Sequence, residues 1–374
     1  MSPNKPSFPF HSPTLLLDAD RCQRNLRRMQ EKALHLGLEL VPHFKTAQSR
    51  RVAQWFKATG GKKITVSSLH LARYLAKENW DMLHIAFPLS PALLPEIQAL
   101  ASECPLSVQV VNEAFIQACV AQLQVPLAFW IEIDAGYGRA GIFHDDIERI
   151  ERVLALSATC PYLRFEGFYI HPGHTYKGDV DVIYEETLSA LAELKNHFKG
   201  SHPQLKTRVA DTPGASMRSD FGTVDSIGPG NYQFYDLTQV AIGSCQREDI
   251  AIALVCPIVD IRTERGEVLV HGGGVHLSKD VLNTPTGSSY GEVVQLSADG
   301  HWTLFAEGQA PYVKSISQEH GLIQGSPEWC RSLQVGQPIG ILPVHSCMTA
   351  DCMRGYRLVG SLAPIDHAEG YAIS

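Results

Sequence analysis

The chain has 374 residues, 44% of them hydrophobic and 19% charged, which is the composition of an ordinary globular protein and excludes disordered and fibrous classes. The net charge of −7 argues against a nucleic-acid platform. No run approaches the ~18 consecutive apolar residues of a membrane-spanning helix, and the opening MSPNKPSFPFHSPTLLLD has neither the basic start nor the apolar core of a signal peptide.

From residue 14 to about 244, strand-like runs alternate with amphipathic helical segments. TLLLD leads into ADRCQRNLRRMQEKALHLG, a helix with Gly37 as its C-terminal stop. LELVPHF follows as a strand, SRRVAQWFKATG as a helix and KKITVSS as a strand. The alternation continues through HLARYLAKENW, MLHIAF, PALLPEIQALASE, LSVQVV, EAFIQACVAQL, LAFWIEID, DDIERIERVLALS, LRFEGFYIH, DVIYEETLSALAELKNHF and LKTRVAD. Seven or eight β/α repeats with short connections predict a parallel sheet. An open doubly wound sheet and a closed barrel both fit, and the ~220-residue span favours the (β/α)8 TIM barrel. Beyond residue 245 the texture is β-rich: REDIAIALVCPIVDIR, GEVLVHGGGV, EVVQLS, WTLFAEG, VKSISQEHGLI, VGQPIGILPVH and YRLVG read as strands, and no helical pattern of similar strength appears. The expected division is a barrel over 14–244 and a β domain over 245–374, with the strand at about 12–20 compatible with either.

The nine cysteines are odd in number, widely spaced and without a CxxC pair, so they are read as small buried hydrophobes of a reducing cytoplasm rather than a disulfide framework.

Chemistry in a barrel sits at the C-terminal ends of the strands. Lys45 ends the LELVPHF strand, Arg139 follows IEIDAGYGR, and His171 and His174 follow FEGFYIHPGH. TPGAS (212–216) and GPGN (228–231) follow the last two strands. A lysine there either snorkels to solvent or, if desolvated, is a nucleophilic amine suited to a Schiff base. Plain turns explain each glycine tract alone. Two such tracts in the last two loops suit a phosphate group. With the early lysine they suggest pyridoxal 5′-phosphate (PLP).

Five segments, PTLLLDADRCQRNLRRM, VPHFKT, IEIDAGYGRAGI, FEGFYIHPGHTY and GPGNYQFYD, resemble the fold-type III PLP enzymes, and in particular the D-threonine aldolase and D-serine dehydratase family with its alanine-racemase-like barrel. VHGGGVHLSKD, SQEHG and LPVHSCMTADCM extend the resemblance over nearly the whole chain. It implies that Lys45 holds PLP as a Schiff base and takes the α-proton of a D-amino acid. It implies that Arg139 lies near the cofactor's phenolic oxygen, a permanent cation there. Thr212, Gly214, Gly230 and Asn231 fall in the phosphate-holding segments, and Tyr169 and Tyr176 in the segment lining the cofactor pocket. His171 or His174 is a candidate base, with a structural pair as the alternative. Alanine racemases carry an arginine where this chain has Gly228, which counts against racemisation.

His345 and Cys347 stand as HSC in ILPVHSCMT. On a strand, residues two apart share a face, and an imidazole beside a thiolate suits zinc. The family resemblance implies the same: its dehydratases place His-x-Cys there as zinc ligands, its aldolases His-x-Asp. Cys352 is read as a bystander and His271 as structural; Glu319 and His320 resemble a family element near the metal side of the pocket, with a turn-stabilising pair as the preferred alternative. The expected protein is a PLP- and zinc-dependent lyase of D-3-hydroxy-amino acids. D-serine or 3-hydroxyaspartate dehydration is preferred over retro-aldol cleavage, racemisation or a carrier without turnover. The resemblance implies a homodimer, and no nucleic acid or membrane partner is expected.

Overall fold

A computed structural model describes residues 10–284 and 287–370. The chain divides into two compact units: residues 26–45 with 52–232, and residues 1–25, 46–51 and 233–374.

In the first unit, eight parallel strands among the described residues lie in one circuit. They are Glu39–Leu40, Lys63–Val66, Met82–Pro88, Leu106–Val110, Leu127–Asp134, Leu163–Ile170, Lys206–Val209 and Ser226–Ile227. The first pairs with the last in parallel, and a bridge between His43 and Thr65 joins the first to the second, closing the barrel. Leu127–Ile133 is buried at every position, as a parallel strand covered on both faces must be. Short polar residues start the intervening helices. The side chains of Ser68, Asn112, Asp146 and Asp179 accept backbone N–H groups of the following helical turns, which fixes where each helix starts.

The barrel interior is not wholly apolar. His84 is 1% exposed; its Nδ1 pairs with Ser107 Oγ and its Nε2 with Gln109 Oε1, each at 3.0 Å. Arg208 is 3% exposed, donates from Nε to Ser226 Oγ at 2.9 Å and lies 4.4 Å over the Trp130 ring.

In the second unit, six strands close on themselves in the order Glu267–His271, His320–Gln324, Tyr312–Ile316, Gly291–Leu296, Pro338–Pro343 and Ile252–Arg262. Each of these pairs is antiparallel. Thr14–Leu17 joins this unit, pairing antiparallel with Ile252–Val255 and in parallel with Tyr356–Leu358. Among the described residues, four short α-helices, Leu237–Ile242, Gly274–Leu277, Pro327–Arg331 and Ser346–Met353, interrupt the β texture. The longest has eight residues, too short for the helical periodicity to stand out in sequence. Among the described residues, no helix is long and apolar enough to cross a membrane.

Candidate active site

Lys45 lies just past the first barrel strand, not at its last residue: the strand is Glu39–Leu40, and residues 44–47 form a turn. The side chain is exposed while Phe44 and Thr46 are fully buried. The sequence left a solvent-reaching and a desolvated lysine both open; the residue is exposed. His43 N–H donates to Pro229 O at 2.9 Å, and Phe44 N–H to Thr65 O at 2.8 Å. The turn is thereby pinned to the loop after the last strand on one side and to the second strand on the other.

Arg139 sits in a loop built on Asp134. The Asp134 carboxylate accepts the N–H groups of Gly136 and Gly138 at 3.0 Å. Both glycines have positive φ, +104° and +72°, which only glycine adopts readily. The DAGYG run thus coils around its own aspartate and presents Arg139. The guanidinium is half-exposed, lies 5.3 Å over Tyr137 and 3.9 Å from Glu132 Oε1. Burial raises the Glu132 carboxyl, opposed by Gln109 and by Arg139.

His171 Nδ1 donates to the Ala210 carbonyl, which leaves Nε2 with the lone pair. Burial, followed by the Arg139 charge, brings this imidazole down to about 3. Burial and then the Lys45 charge also push His43 well below its ordinary value. His171 is therefore a neutral acceptor, not a proton store. His174 stacks on Tyr137 with centroids 5.8 Å apart, and Tyr176 ends the same turn, Gly173–Tyr176. Tyr169 is deeper, 3% exposed, in a cluster with Trp130 and Ala210. Burial raises its phenol.

The two glycine-bearing loops meet. Gly230 N–H donates to Thr212 Oγ1 at 3.2 Å. Asp211 accepts from Gly214 N–H at 2.8 Å, from Thr175 Oγ1 at 2.9 Å and from Tyr184 Oη at 2.5 Å. A Cβ on Gly214 would fall 2.0 Å from the Tyr184 ring, so that glycine is required by packing. Asn231 is 5% exposed and opens the next turn. At Gly228 a Cβ would lie 3.0 Å from Ala210 Cβ, leaving no room for a long side chain without movement.

These residues fit PLP. Lys45 and Arg139 both act electrostatically on His43 and His171. The carboxylate facing Arg139 stands 3.9 Å away, with its Oε2 buried and unbonded. The two cations suit an anionic, phosphorylated ligand, and the exposed primary amine suits its aldehyde.

In the second unit, the expected strand at His345 is not a strand. Pro338–Pro343 ends first, His345 precedes the helix Ser346–Met353, and Cys347 lies in its opening turn. The two side chains still meet, hydrogen-bonded to each other. Asp236 fixes the residue between them, accepting from Ser346 N–H at 2.9 Å and Ser346 Oγ at 3.2 Å. Thr238 Oγ1 donates to Val344 O at 2.8 Å. His345 Nδ1 donates to Asp280 Oδ2 at 2.8 Å, so Nε2 is the nitrogen that would ligate on giving up its proton; a carboxylate behind a histidine is the usual support of a metal-binding imidazole. Burial opposes charge on His345, but Cys347, Asp236 and Asp280 prevail and carry it up to about 10. The same anionic surroundings favour a metal cation, and the N and S donors fit zinc. Sequence inspection missed Asp280 and Asp236, which stand 65 and 110 residues from their partners. Only the D of HLSKD hinted at the first.

The alanine racemase N-terminal domain model matches residues 17–236, and the putative serine dehydratase domain model residues 251–359. The chain is 29% identical to D-threo-3-hydroxyaspartate dehydratase of Delftia sp. strain HT23 and 27% identical to D-serine dehydratase of Dictyostelium discoideum, in both cases over 94% of each chain. It superposes with a TM-score of 0.87 on a cysteine-to-alanine variant of D-threo-3-hydroxyaspartate dehydratase solved in the metal-free form, 26% identical, covering 97% of this chain and 99% of that one. These relatives are dehydratases and hence lyases. With an alanine-racemase-like barrel over most of its first 236 residues and a serine dehydratase domain after it, the chain belongs to the alanine racemase N-terminal domain family, within the fold-type III PLP enzymes.

Proposed function

We propose that this protein is a PLP- and zinc-dependent dehydratase that converts a D-3-hydroxy-amino acid, D-serine or 3-hydroxyaspartate, to a keto acid and ammonia. The observation that carries this reading is the His345–Cys347 pair, backed by Asp280 on the histidine. An N,S pair so supported suits zinc, and it is the pair, not His-x-Asp, that the family resemblance associates with dehydration.

Lys45 would hold the cofactor's aldehyde, Arg139 its phenolic oxygen, and the Thr212–Gly214 and Gly230–Asn231 loops its phosphate; His345 and Cys347 would hold the metal. When bound, PLP supplies an electron sink for charge at Cα, and zinc supplies a Lewis acid for the departing β-hydroxyl. Lys45 Nζ, as a neutral amine, would accept the α-proton. Arg139 cannot titrate and keeps a fixed positive charge at the mouth. His171, kept neutral by burial and with Nδ1 engaged by Ala210 O, offers Nε2 as a hydrogen-bond acceptor. Tyr176, on the same turn as His174, would be a catalytic hydroxyl beside it. A homodimer in the cytoplasm is part of the same proposal; none of the nine cysteines forms a disulfide, which supports a reducing compartment.

The test is product analysis of the PLP- and zinc-loaded protein with D-serine, D-threo-3-hydroxyaspartate and D-threonine, alongside Lys45→Ala and Cys347→Ala. Keto acid and ammonia, lost in both variants, bear the proposal out. Aldehyde and glycine would make it an aldolase, the L-enantiomer a racemase, and bound cofactor without any product a carrier.

A further inference from the structure

The HGGGVH and QEH stretches are not used by the chemistry above. In the structure they converge. His271 Nε2 lies 3.4 Å from Glu319 Oε2, and His276 Nε2 lies 3.8 Å from the same oxygen. The three ligating atoms all fall within 4.8 Å of one another, the one His/Cys/Asp/Glu group of this kind found among the described residues.

This convergence is enforced by backbone. Gly272 N–H donates to Glu319 O and Gly274 N–H to Ser317 O, each at 2.8 Å. A Cβ on Gly273 would lie 2.4 Å from Ser317 O, and one on Gly321 would lie 2.5 Å from Gly272 O. Only glycine lets the 317–320 turn close on the 272–274 segment this tightly. His271 ends its strand in register with His320, while His276 sits in the short helix that the glycines open. Three chemically able side chains are thus held by a main-chain clasp, not by their own flexible stems.

We propose that His271, His276 and Glu319 form a second cation site, distinct from His345 and Cys347, that takes a borderline divalent transition metal such as zinc. Two imidazoles and a carboxylate are a common donor set for such ions, and hard cations prefer all-oxygen sites. Ligands of a tetrahedral zinc stand about 3.3 Å apart at ordinary bond lengths, close to the 3.4 and 3.8 Å between each imidazole and Glu319. The side chains of His271 and Glu319 are 41% and 49% exposed and that of His276 15%, so water can complete the coordination. Gly273 N–H reaches His276 Nδ1 at 3.2 Å, a long hydrogen bond. Metal at Nε2 moves the ring proton to Nδ1 and gives up that contact, so the site binds less tightly than a closed structural zinc.

The experiment is metal stoichiometry by elemental analysis after equilibrium dialysis of the holoprotein against micromolar zinc, with circular dichroism to confirm the fold of each variant. Wild type is expected to hold two equivalents, and Glu319→Gln and His271→Ala one each, retaining the equivalent that Cys347→Ala loses. If both variants keep the wild-type count, the second site is refuted. A count that falls in them but not in Cys347→Ala sustains this site while removing the metal from the proposed catalytic pair, so the two ideas fail separately.

Discussion

Thr46 Oγ1 lies 3.1 Å from Cys347 Sγ, across 301 residues of sequence. The hydroxyl is one of several ties that hold the segment following Lys45. Ala47 O accepts from Tyr356 Oη at 2.6 Å, Gln48 Nε2 donates to Asp351 at 2.9 Å, and Ser49 Oγ and Arg50 N–H donate to Asp366 at 2.9 and 2.6 Å. The residue after the candidate cofactor lysine therefore touches the candidate metal ligand. A hydroxyl donating to a thiolate supports it as a ligand, and loss of such supporting partners costs roughly 10–100-fold in metal affinity. Thr46→Val keeps the shape and removes the donor. Zinc affinity, measured by competition with a chromophoric chelator, is expected to fall about tenfold and to recover in Thr46→Ser. Equal affinities in all three proteins would show the contact to be incidental.

Lys45 presents its side chain to solvent within a turn of buried residues. Truncating it removes no core packing, so its effect separates cleanly from folding. Lys45→Ala is expected to unfold within about 0.5 kcal/mol of wild type, as surface substitutions do. Borohydride treatment of the PLP-loaded wild type followed by peptide mass analysis should find the pyridoxyl group on the peptide containing Lys45, and none anywhere in the variant. A label on another lysine would reassign the cofactor anchor.

The barrel was legible in the sequence because its signals are local. Strands such as LAFWIEID are dominated by apolar residues, and their helices start at short polar caps. Lys45, Arg139, His171 and the two glycine loops follow from the rule that strand ends face one mouth. What escaped were contacts across long sequence separations. MLHIAF reads only as a strand, which hid His84, because a histidine bonded to Ser107 and Gln109 inside a barrel looks in sequence like any residue in a strand. HSC suggested a strand because the apolar ILPV run precedes it, but Pro343 closes the strand, and the Asp236 carboxylate bonded to Ser346 anchors a helix start instead. The three ligands around Glu319 gave no spacing signal, since their meeting depends on which backbone the glycines admit.

Buried neutral histidines make stability depend on pH. Burial, followed by the Arg208 charge, brings His84 down to about 3 from its ordinary 6.5, against the support of Gln109 and Ser107. Between those values the unfolded chain binds a proton there and the folded chain does not, so stability falls as pH drops from about 6.5 towards 3. One such group contributes about 1.4 kcal/mol per pH unit in that window. His84→Gln retains hydrogen-bonding ability without the titration. Urea unfolding at pH 7 and pH 5 is expected to show a smaller acid loss in the variant, by about 2 kcal/mol. Parallel losses in the two proteins would mean that His84 is protonated in the folded state.

Glu132 is 3% exposed and faces Arg139 at 3.9 Å, with Oε2 buried and unbonded. Burial raises its carboxyl, so the folded state holds this charge at a cost, which the neighbouring Gln109 and Arg139 only partly offset. Replacing a poorly compensated buried charge by a neutral isostere is often neutral or stabilising. The same change removes the fixed negative charge that draws the half-exposed guanidinium towards the strand. Glu132→Gln should therefore separate stability from function: its melting temperature is expected to equal or exceed that of wild type, while PLP binds severalfold more weakly because Arg139 is less well placed. Arg139→Lys, which keeps the charge but not the planar fork, should weaken PLP similarly without raising the melting temperature. A lower melting temperature with unchanged PLP affinity in Glu132→Gln would show instead that the carboxylate is there to hold the strand rather than to position the arginine.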